Sequence, residues 1–554
     1  VESDEPEVQL EAVYYVCRFG PQAPEAQLRD FWSHANPKVR AAAIACVARH
    51  GNHIEIQMAY EGIREVIGDK SAENADVRLA VAKAFASMDS PALTDPLGEL
   101  VGDVDATVAR QAIDSAAHLT PLPLIPSIEA RLCDSATAPA ARNALAAYGP
   151  DAVHHLSASL LGARDGASSD VLCRRIPRVL QMIGTDAATK VLIEALAEPA
   201  ADLAYGAQVR RYHVVKALNR LRRDQPKLSV PQAAVHEAGT REVRLQLLLP
   251  DLRAAAVSLG DSAALLVAIL DERWEQSLER LFRLLALVYP PREIYNAYAA
   301  IRETSGPTTT TAGATLRANA LELLDNVLSV EVKRVILPLV EDGDAEMRLK
   351  PLRDMLGVRP PSQRDALDAL QNADDALLSG AAYYALRLLG DAGQELPDGS
   401  PALSDGTNAR GMDVNLLEKV AFLKRAELFA DIDTEQLAQV AAAAAEVEFD
   451  AGDVVFRQHE FADSVCVVVC GTVSLSGEES PEDSAGEGEV FGMLALFADE
   501  ARLLTAVAVD PTRALRLDYD VFMELLADHV EICRGMLKNL TQKIQRLSAE
   551  LHAG

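Results

Sequence analysis

Aromatic side chains are scarce: Phe, Tyr and Trp make up 5% of the 554 residues, while 49% of the chain is hydrophobic. Its cores must therefore be built from Ala, Leu and Val, side chains that suit closely packed helices. Lysine is also rare, at 12 of the 53 basic residues, and Asp and Glu number 82, for a formal net charge of −29. That balance makes nucleic acid and anionic lipid poor partners for most of the surface. It suits high salt, where screening relieves self-repulsion. No run approaches the ~18 uninterrupted apolar residues of a membrane span, and no signal-peptide pattern is seen, so the chain reads as soluble and not inserted in a membrane. The seven cysteines (Cys17, Cys46, Cys133, Cys173, Cys466, Cys470, Cys533) form no Cys-x-x-Cys. They read as small buried hydrophobes in a reducing, cytoplasmic protein.

Catalytic motifs are missing as well. There is no Walker loop, Gly-x-Ser-x-Gly, His-Glu-x-x-His or kinase signature. His154 and His155 are adjacent on an expected helix and diverge, so they do not make a metal pair. Asp374-Asp375 fits helix capping. The expectation is a protein that is not an enzyme and holds no metal or catalytic cofactor.

What is present is repetition. "NPKVRAAAIACVARHG" (36–51) is echoed by "NADVRLAVAKAFASM" (74–88) and "DATVARQAIDSAAHL" (105–119). Each copy has a polar turn, then Val, Arg and an Ala-rich amphipathic helix. Arg40, Arg78 and Arg110 are spaced by one helical hairpin, and looser copies follow around 138–149, 207–221, 314–328 and 345–356. One hairpin cannot bury its apolar face alone, so neighbours must stack. The arginines are expected to bond the turns in a ladder. This pattern resembles HEAT repeats, which implies an α-solenoid with a surface for a protein partner.

The expected organisation is a first solenoid part at 1–225, then an irregular helical segment with further repeats at 226–390. "TSGPTTTTAG" (304–313) reads as a polar loop. A Gly/Pro/Ser/Asp-rich linker fills 391–414, separating bodies that move independently unless they dock. A last module covers 415–554. In it "LLEKVAFLKRAELFADIDTEQLAQVAAAAAEVEF" (416–449) gives two helices with a cap signal at Asp433-Thr434, and the Val-rich runs of 452–477 read as short strands of a small closed β structure.

The marks of this module are Gly452-Asp453, "ADS" at 462–464, Gly471, Phe491-Gly492, Arg502 and Leu517-Asp518. Together they resemble a cyclic nucleotide-binding domain, a β-roll flanked by helices. The resemblance implies a phosphate-binding cassette of Phe491, Gly492, Met493, Leu494 and Ala495, closed by Arg502 and Thr505. Gly492 would let backbone approach an anion, free N–H groups of the following helix would face it, and Arg502 would supply a forked donor. The implied regulatory ligand is cAMP or cGMP. The chain departs from the family where a ribose-binding glutamate follows Phe-Gly, since Met493 stands there. An unpaired ribose hydroxyl costs about 1–3 kcal/mol, roughly tenfold to hundredfold in affinity. His459 replaces a turn glycine, Ala501 a proline, and Leu503-Leu504 a smaller pair. The hairpin 477–489 adds six carboxylates. The sequence thus describes a degenerate pocket around a retained arginine, which can equally pair with a carboxylate such as Asp499 or Glu500.

Residues 292–342, "REIYNAYAAIRE…LRANALELLDNVLSVEVKRVILPLVED", preceding such a module, resemble the soluble C-terminal region of bacterial ATP/ADP translocase-type transporters of the major facilitator class. With Val1 in place of Met, this implies a piece of a longer chain, lying at the inner face of a membrane beside a transporter domain. The final stretch 529–552 spaces Cys533, Leu537, Leu540, Ile544, Leu547 and Leu551 by alternating fours and threes, which allows either a homodimer seam or packing on its own domain.

Overall fold

The computed structural model describes residues 5–19, 28, 31–32, 34–50, 53–86, 94–162, 167–199, 203–304, 311–391, 414–477, 480–493, 501–528 and 532–541. They are mainly helical, with a small β domain near the C-terminus. The chain divides into two compact units: residues 1–201, 205–241 and 280–333 form one, and 202–204, 242–279 and 334–554 the other. The expected linker falls outside the described residues, as does most of the polar loop.

In the first unit alternate helices stack in two series. Helices Pro37–His50, Ala75–Phe85, Ala106–Leu119, Ala138–Tyr148, Ala167–Ile183 and Tyr205–Asp224 pack each on the next. His53–Gly68, Thr94–Val101, Ile125–Ala130, Pro150–Gly162 and Asp186–Ala197 do the same. Alanine permits this close approach: Ala42, Ala82, Ala112 and Ala141 lie in one core cluster with Leu100, Ile113 and Leu145.

The turns between helices are held by arginine, though unevenly. Arg78 is fully buried and forks onto Asp103 of a later turn, with Nε to Oδ2 at 2.9 Å and Nη2 to Oδ1 at 3.1 Å. Its Nη1 donates to the carbonyls of Asp69 (2.6 Å) and Ser71 (2.9 Å). Burial alone would raise the Asp103 pKa, but the hydrogen bonds from Arg78, the Asp105 N–H and Lys70 hold it below its ordinary value. Arg131 reaches the carbonyls of Val101 and Asp103 at 2.7 and 2.8 Å, and Arg40 that of His34 at 3.1 Å. Arg110 only touches its own helix, at the Ala106 carbonyl and the Thr107 hydroxyl.

In the second unit eight strands form two antiparallel four-stranded sheets. One is ordered β1 (Ala445–Phe449), β8 (Thr512–Asp518), β3 (Ser464–Cys470), β6 (Val490–Phe491). The other runs β2 (Val454–Phe456), β7 (Thr505–Ala508), β4 (Val473–Gly477), β5 (Ser480–Ala485). The two-residue period of β3 sorts its side chains. Cys466 and Val468 enter a small core with Phe491, Ala506 and Ala514, while Val465 and Val467 join a second cluster with helical residues such as Leu423, Phe429 and Leu437.

The β domain is docked on helices of its own unit. That second cluster also takes in Leu266, Ile269 and Leu378. Glu272, in helix Ala264–Leu285, accepts from the Thr434 backbone N–H at 2.9 Å, its hydroxyl at 2.8 Å and Lys424 Nζ at 2.7 Å. The expected cap at Asp433-Thr434 is therefore corrected: Asp433 sits at the N-cap but its side chain makes no capping bond, and a carboxylate from 162 residues away serves instead. The capping expected at Asp374-Asp375 is seen at Asp375, which accepts from the N–H groups of Leu377 and Leu378 and also binds buried Arg273 at 2.8 Å.

One further expectation changes. Cys133 and Cys470 are exposed, Cys173 and Cys466 buried, and Cys46 is disulfide-bonded, so the cysteines are not uniformly reduced, buried hydrophobes. In the final stretch, the described helix over 532–541 turns Ile532 and Met536 into its own domain's core, and Asn539 donates to the Leu428 carbonyl at 2.9 Å. Cys533 and Leu540 pack partly against that core, whereas Leu537 is 64% exposed. Ile544, Leu547 and Leu551 lie outside the described residues.

Candidate functional site: the arginine at the mouth of the β domain

Strand β6 ends at Phe491, whose ring is buried between the sheets and stacks on Phe456 with centroids 5.9 Å apart. Gly492 follows at φ 81°. A Cβ there would sit 2.7 Å from Arg502 Nη1, so only glycine permits the approach. Met493 packs partly against the helical core cluster and offers no acceptor. Leu494 and Ala495, like Asp499 and Glu500, lie outside the described residues.

Arg502 is 2% exposed. Its Nη1 donates to the Gly492 carbonyl at 2.8 Å, and its Nη2 to the Ser464 carbonyl at 2.7 Å and to Asp463 Oδ1 at 3.3 Å. The guanidinium lies 4.1 Å from the centroid of Phe456, a cation–π contact. Its Nε is buried with no hydrogen-bond partner among the described residues. Burial lowers the guanidinium pKa and Asp463 opposes this. Asp463 in turn is raised by burial but held below its ordinary value by the Ser464 hydroxyl, Arg516 and Arg502.

The backbone is clamped from the other side. The His459 N–H donates to the Arg502 carbonyl and the Arg502 N–H to the Glu460 carbonyl, both at 2.8 Å. The Thr505 hydroxyl accepts from the Gln458 N–H at 3.0 Å. His459 has φ 70°, the left-handed geometry that a glycine takes without cost.

Of the sequence-derived site residues, the fold brings Phe491, Gly492 and Arg502 together, sets the Thr505 hydroxyl on the Gln458 N–H, and turns Met493 aside into packing. It adds Phe456, Asp463 and Ser464. Among the described residues the carboxylate that pairs with Arg502 is Asp463, 39 residues earlier, and the "ADS" run is the signal that could have named it. A cleft beside Met493 is lined by Glu427, Asp483 and Glu489 together with Leu475, Leu540 and other residues, so three carboxylates border it. Among the described residues no cluster of His, Cys, Asp and Glu suits a metal ion, and no helix is long and apolar enough to cross a membrane.

A β-roll carrying an arginine beside a Phe-Gly turn defines a regulatory domain of the cyclic nucleotide-binding class, and residues 446–529 match the family model "Cyclic nucleotide-binding domain". The C-terminal module is such a domain. Over 134 residues the chain is 26% identical to a "CRP-like cAMP-activated global transcriptional regulator" of Mycobacterium tuberculosis (strain CDC 1551 / Oshkosh), covering 23% of this chain and 60% of that protein. Over 128 residues it is 31% identical to a "cAMP-dependent protein kinase regulatory subunit" of Blastocladiella emersonii, covering 22% and 32%. Among solved structures, the N-terminal domain of a transcriptional regulator from Streptomyces coelicolor A3(2) is 27% identical, with 24% of this chain and 94% of that one covered and a TM-score of 0.21. The chain thus spans less than two thirds of the curated relatives it matches.

Proposed function

We propose that this chain is a noncatalytic regulatory and scaffolding protein, a HEAT-like helical solenoid coupled to a cyclic nucleotide-binding domain that takes cAMP and cGMP weakly. The observation that carries the reading is the state of Arg502, whose two terminal nitrogens are bound by Gly492, Ser464 and Asp463. An entering phosphate has to displace these acceptors, and Met493 gives it no ribose contact in return. Calorimetry on the intact chain with cAMP and cGMP tests this: dissociation constants above the micromolar range are expected. A submicromolar value that is lost in Arg502→Ala overturns it. Met493→Glu should tighten binding by roughly tenfold to hundredfold.

A second reading has its own support. Gly492, Arg502 and Thr505 are retained together, and the relatives above carry cAMP in their names. On this reading the chain is a ligand-gated sensor, in which occupancy moves the helices docked at Glu272 through differential affinity for two states. The same titration separates the two readings.

The cellular setting belongs to the proposal too: a bacterial, cytoplasmic protein at the inner face of a membrane, the soluble part of a translocase-like transporter. Its support is the resemblance of residues 292–342. The gene upstream of Val1 tests it, and an in-frame stop and start codon close to that end would exclude it.

A further inference from the structure

The first unit carries a cationic face that its net charge makes unexpected. On helix Tyr205–Asp224, Lys216, Arg220 and Arg223 follow one another by four and three residues, along one side. Arg174 and Arg178, also four apart, lie on helix Ala167–Ile183, which packs against it. Arg283 joins them from helix Ala264–Leu285, its guanidinium 5.4 Å from the Tyr212 ring centroid and 5.9 Å from that of Tyr295. Lys216 Nζ lies 5.4 Å from the same Tyr212 ring.

Like charges four apart on a helix repel, and at Arg178 and Arg220 no ion pair among the described residues offsets this. Asp224, at the end of the stripe, is already bonded by Arg223 at 3.2 Å and Gln181 at 3.4 Å. Arg178 is bonded to the neutral Gln181 side chain. Half-buried Arg220 makes no hydrogen bond or ion pair among the described residues. The local potential agrees: burial, then Lys216, Arg174, Arg220 and Arg283, push the His213 pKa down to about 3. Arg220 itself is lowered by burial and by Arg178, Arg223 and Arg283.

We propose that this face, centred on Arg220, docks a short carboxylate-rich segment of a partner protein. The proposal deepens the scaffold reading above and rests on it. Charge complementarity selects the occupant. A nucleic acid strand long enough to bind firmly would run off the face onto the surface of a chain with net charge −29. A short acidic peptide can end where the cations end, and screening confines its attraction to them.

Fluorescence anisotropy of a labelled decaglutamate peptide against the intact chain tests the proposal. We expect binding at about 50 mM salt that weakens roughly tenfold by about 300 mM, and a further loss of about tenfold or more in Arg220→Glu/Arg223→Glu. Arg253→Glu, whose arginine pairs with Asp271 elsewhere in the molecule, should bind like the unmodified chain. Arg220→Gln, which relieves repulsion, should keep or raise the thermal midpoint while weakening the peptide. No binding at low salt, or tighter binding of a ten-nucleotide thymidine strand, overturns the acidic-partner proposal. Binding that survives Arg220→Glu/Arg223→Glu overturns this face and leaves the scaffold reading standing; catalytic turnover of a nucleotide by the intact chain would remove the scaffold reading instead.

Discussion

Arg78 in the stacked helices and Arg502 in the β domain are both buried, and both bond backbone carbonyls and an aspartate. They differ in what remains. Every nitrogen of Arg78 is bonded, and its Asp103 partner is as buried as it is. The Nε of Arg502 has no partner among the described residues, and Asp463 is 59% exposed. Arg220 stands at the far end, with no hydrogen-bonded partner among the described residues. Saturation separates an arginine that holds a fold together from one whose donors can be turned to a ligand, because a buried ion pair once broken leaves an uncompensated charge, whereas a solvated carboxylate does not.

The comparison is broken most directly by paired substitutions. Arg78→Ala strands Asp103 in the core and should cost about 3–5 kcal/mol. Arg502→Ala should cost only about 1–2 kcal/mol, since Asp463 keeps water and Arg516. Hydrogen exchange of the surrounding amides in the intact chain gives both values, and equal costs would make Arg502 as structural as Arg78. Acid adds a check. The Asp103 pKa is depressed, so its contribution is complete above the unfolded value near ~3.9 and is lost as pH falls through the lower folded value. The unit should therefore hold to about pH 4 and loosen below it.

A smaller effect is expected where the β domain docks. Glu272→Ala removes the cap of helix Thr434–Ala443 and the partner of Lys424, at about 2 kcal/mol, read as faster exchange of the amides at 434–437. Next to it Asp433 has its pKa raised, by burial and then by Glu272. A raised carboxyl works in the opposite sense to Asp103: the folded state holds the extra proton, so stability falls as pH rises through the window between the ordinary and the raised value. Asp433→Asn should therefore tighten docking at neutral pH, and a loss on that change would show that Asp433 supports the cap after all.

Much of this was legible in sequence, and the exceptions share a cause. The Val-Arg turns mark the helical period, and Phe491-Gly492 and Arg502, apart in the chain, are residues that the fold brings together. Arg40, Arg78 and Arg110 looked equivalent, yet only Arg78 is saturated, because its fate is set by an Asp103 in a later turn and not by its own repeat. Asp463 is a partner of Arg502 that sequence proximity does not point to, because it reaches the guanidinium only once β3 and the cassette are folded side by side. For the helix over 532–541 the sequence allows a dimer seam or packing on its own domain; Cys533 and Leu540 of the seam do pack there, while Ile532, Met536 and Asn539, which complete the buried face, lie off the seam and could not be read from it.

The smallest effect concerns the clamp that positions Arg502. His459 stands at φ 70°, exposed, with its N–H on the Arg502 carbonyl. A side chain in this region costs about 1 kcal/mol relative to glycine, partly offset by the extra freedom glycine gives the unfolded chain. His459→Gly should thus stabilise the β domain by about 0.5 kcal/mol, seen as slower exchange at 459–460 and 501–502. His459→Val, which tolerates this geometry worst, should destabilise it by more than about 1 kcal/mol. If glycine instead loosens the turn, the imidazole is holding something, and the arginine it positions is tied down as firmly as Arg78.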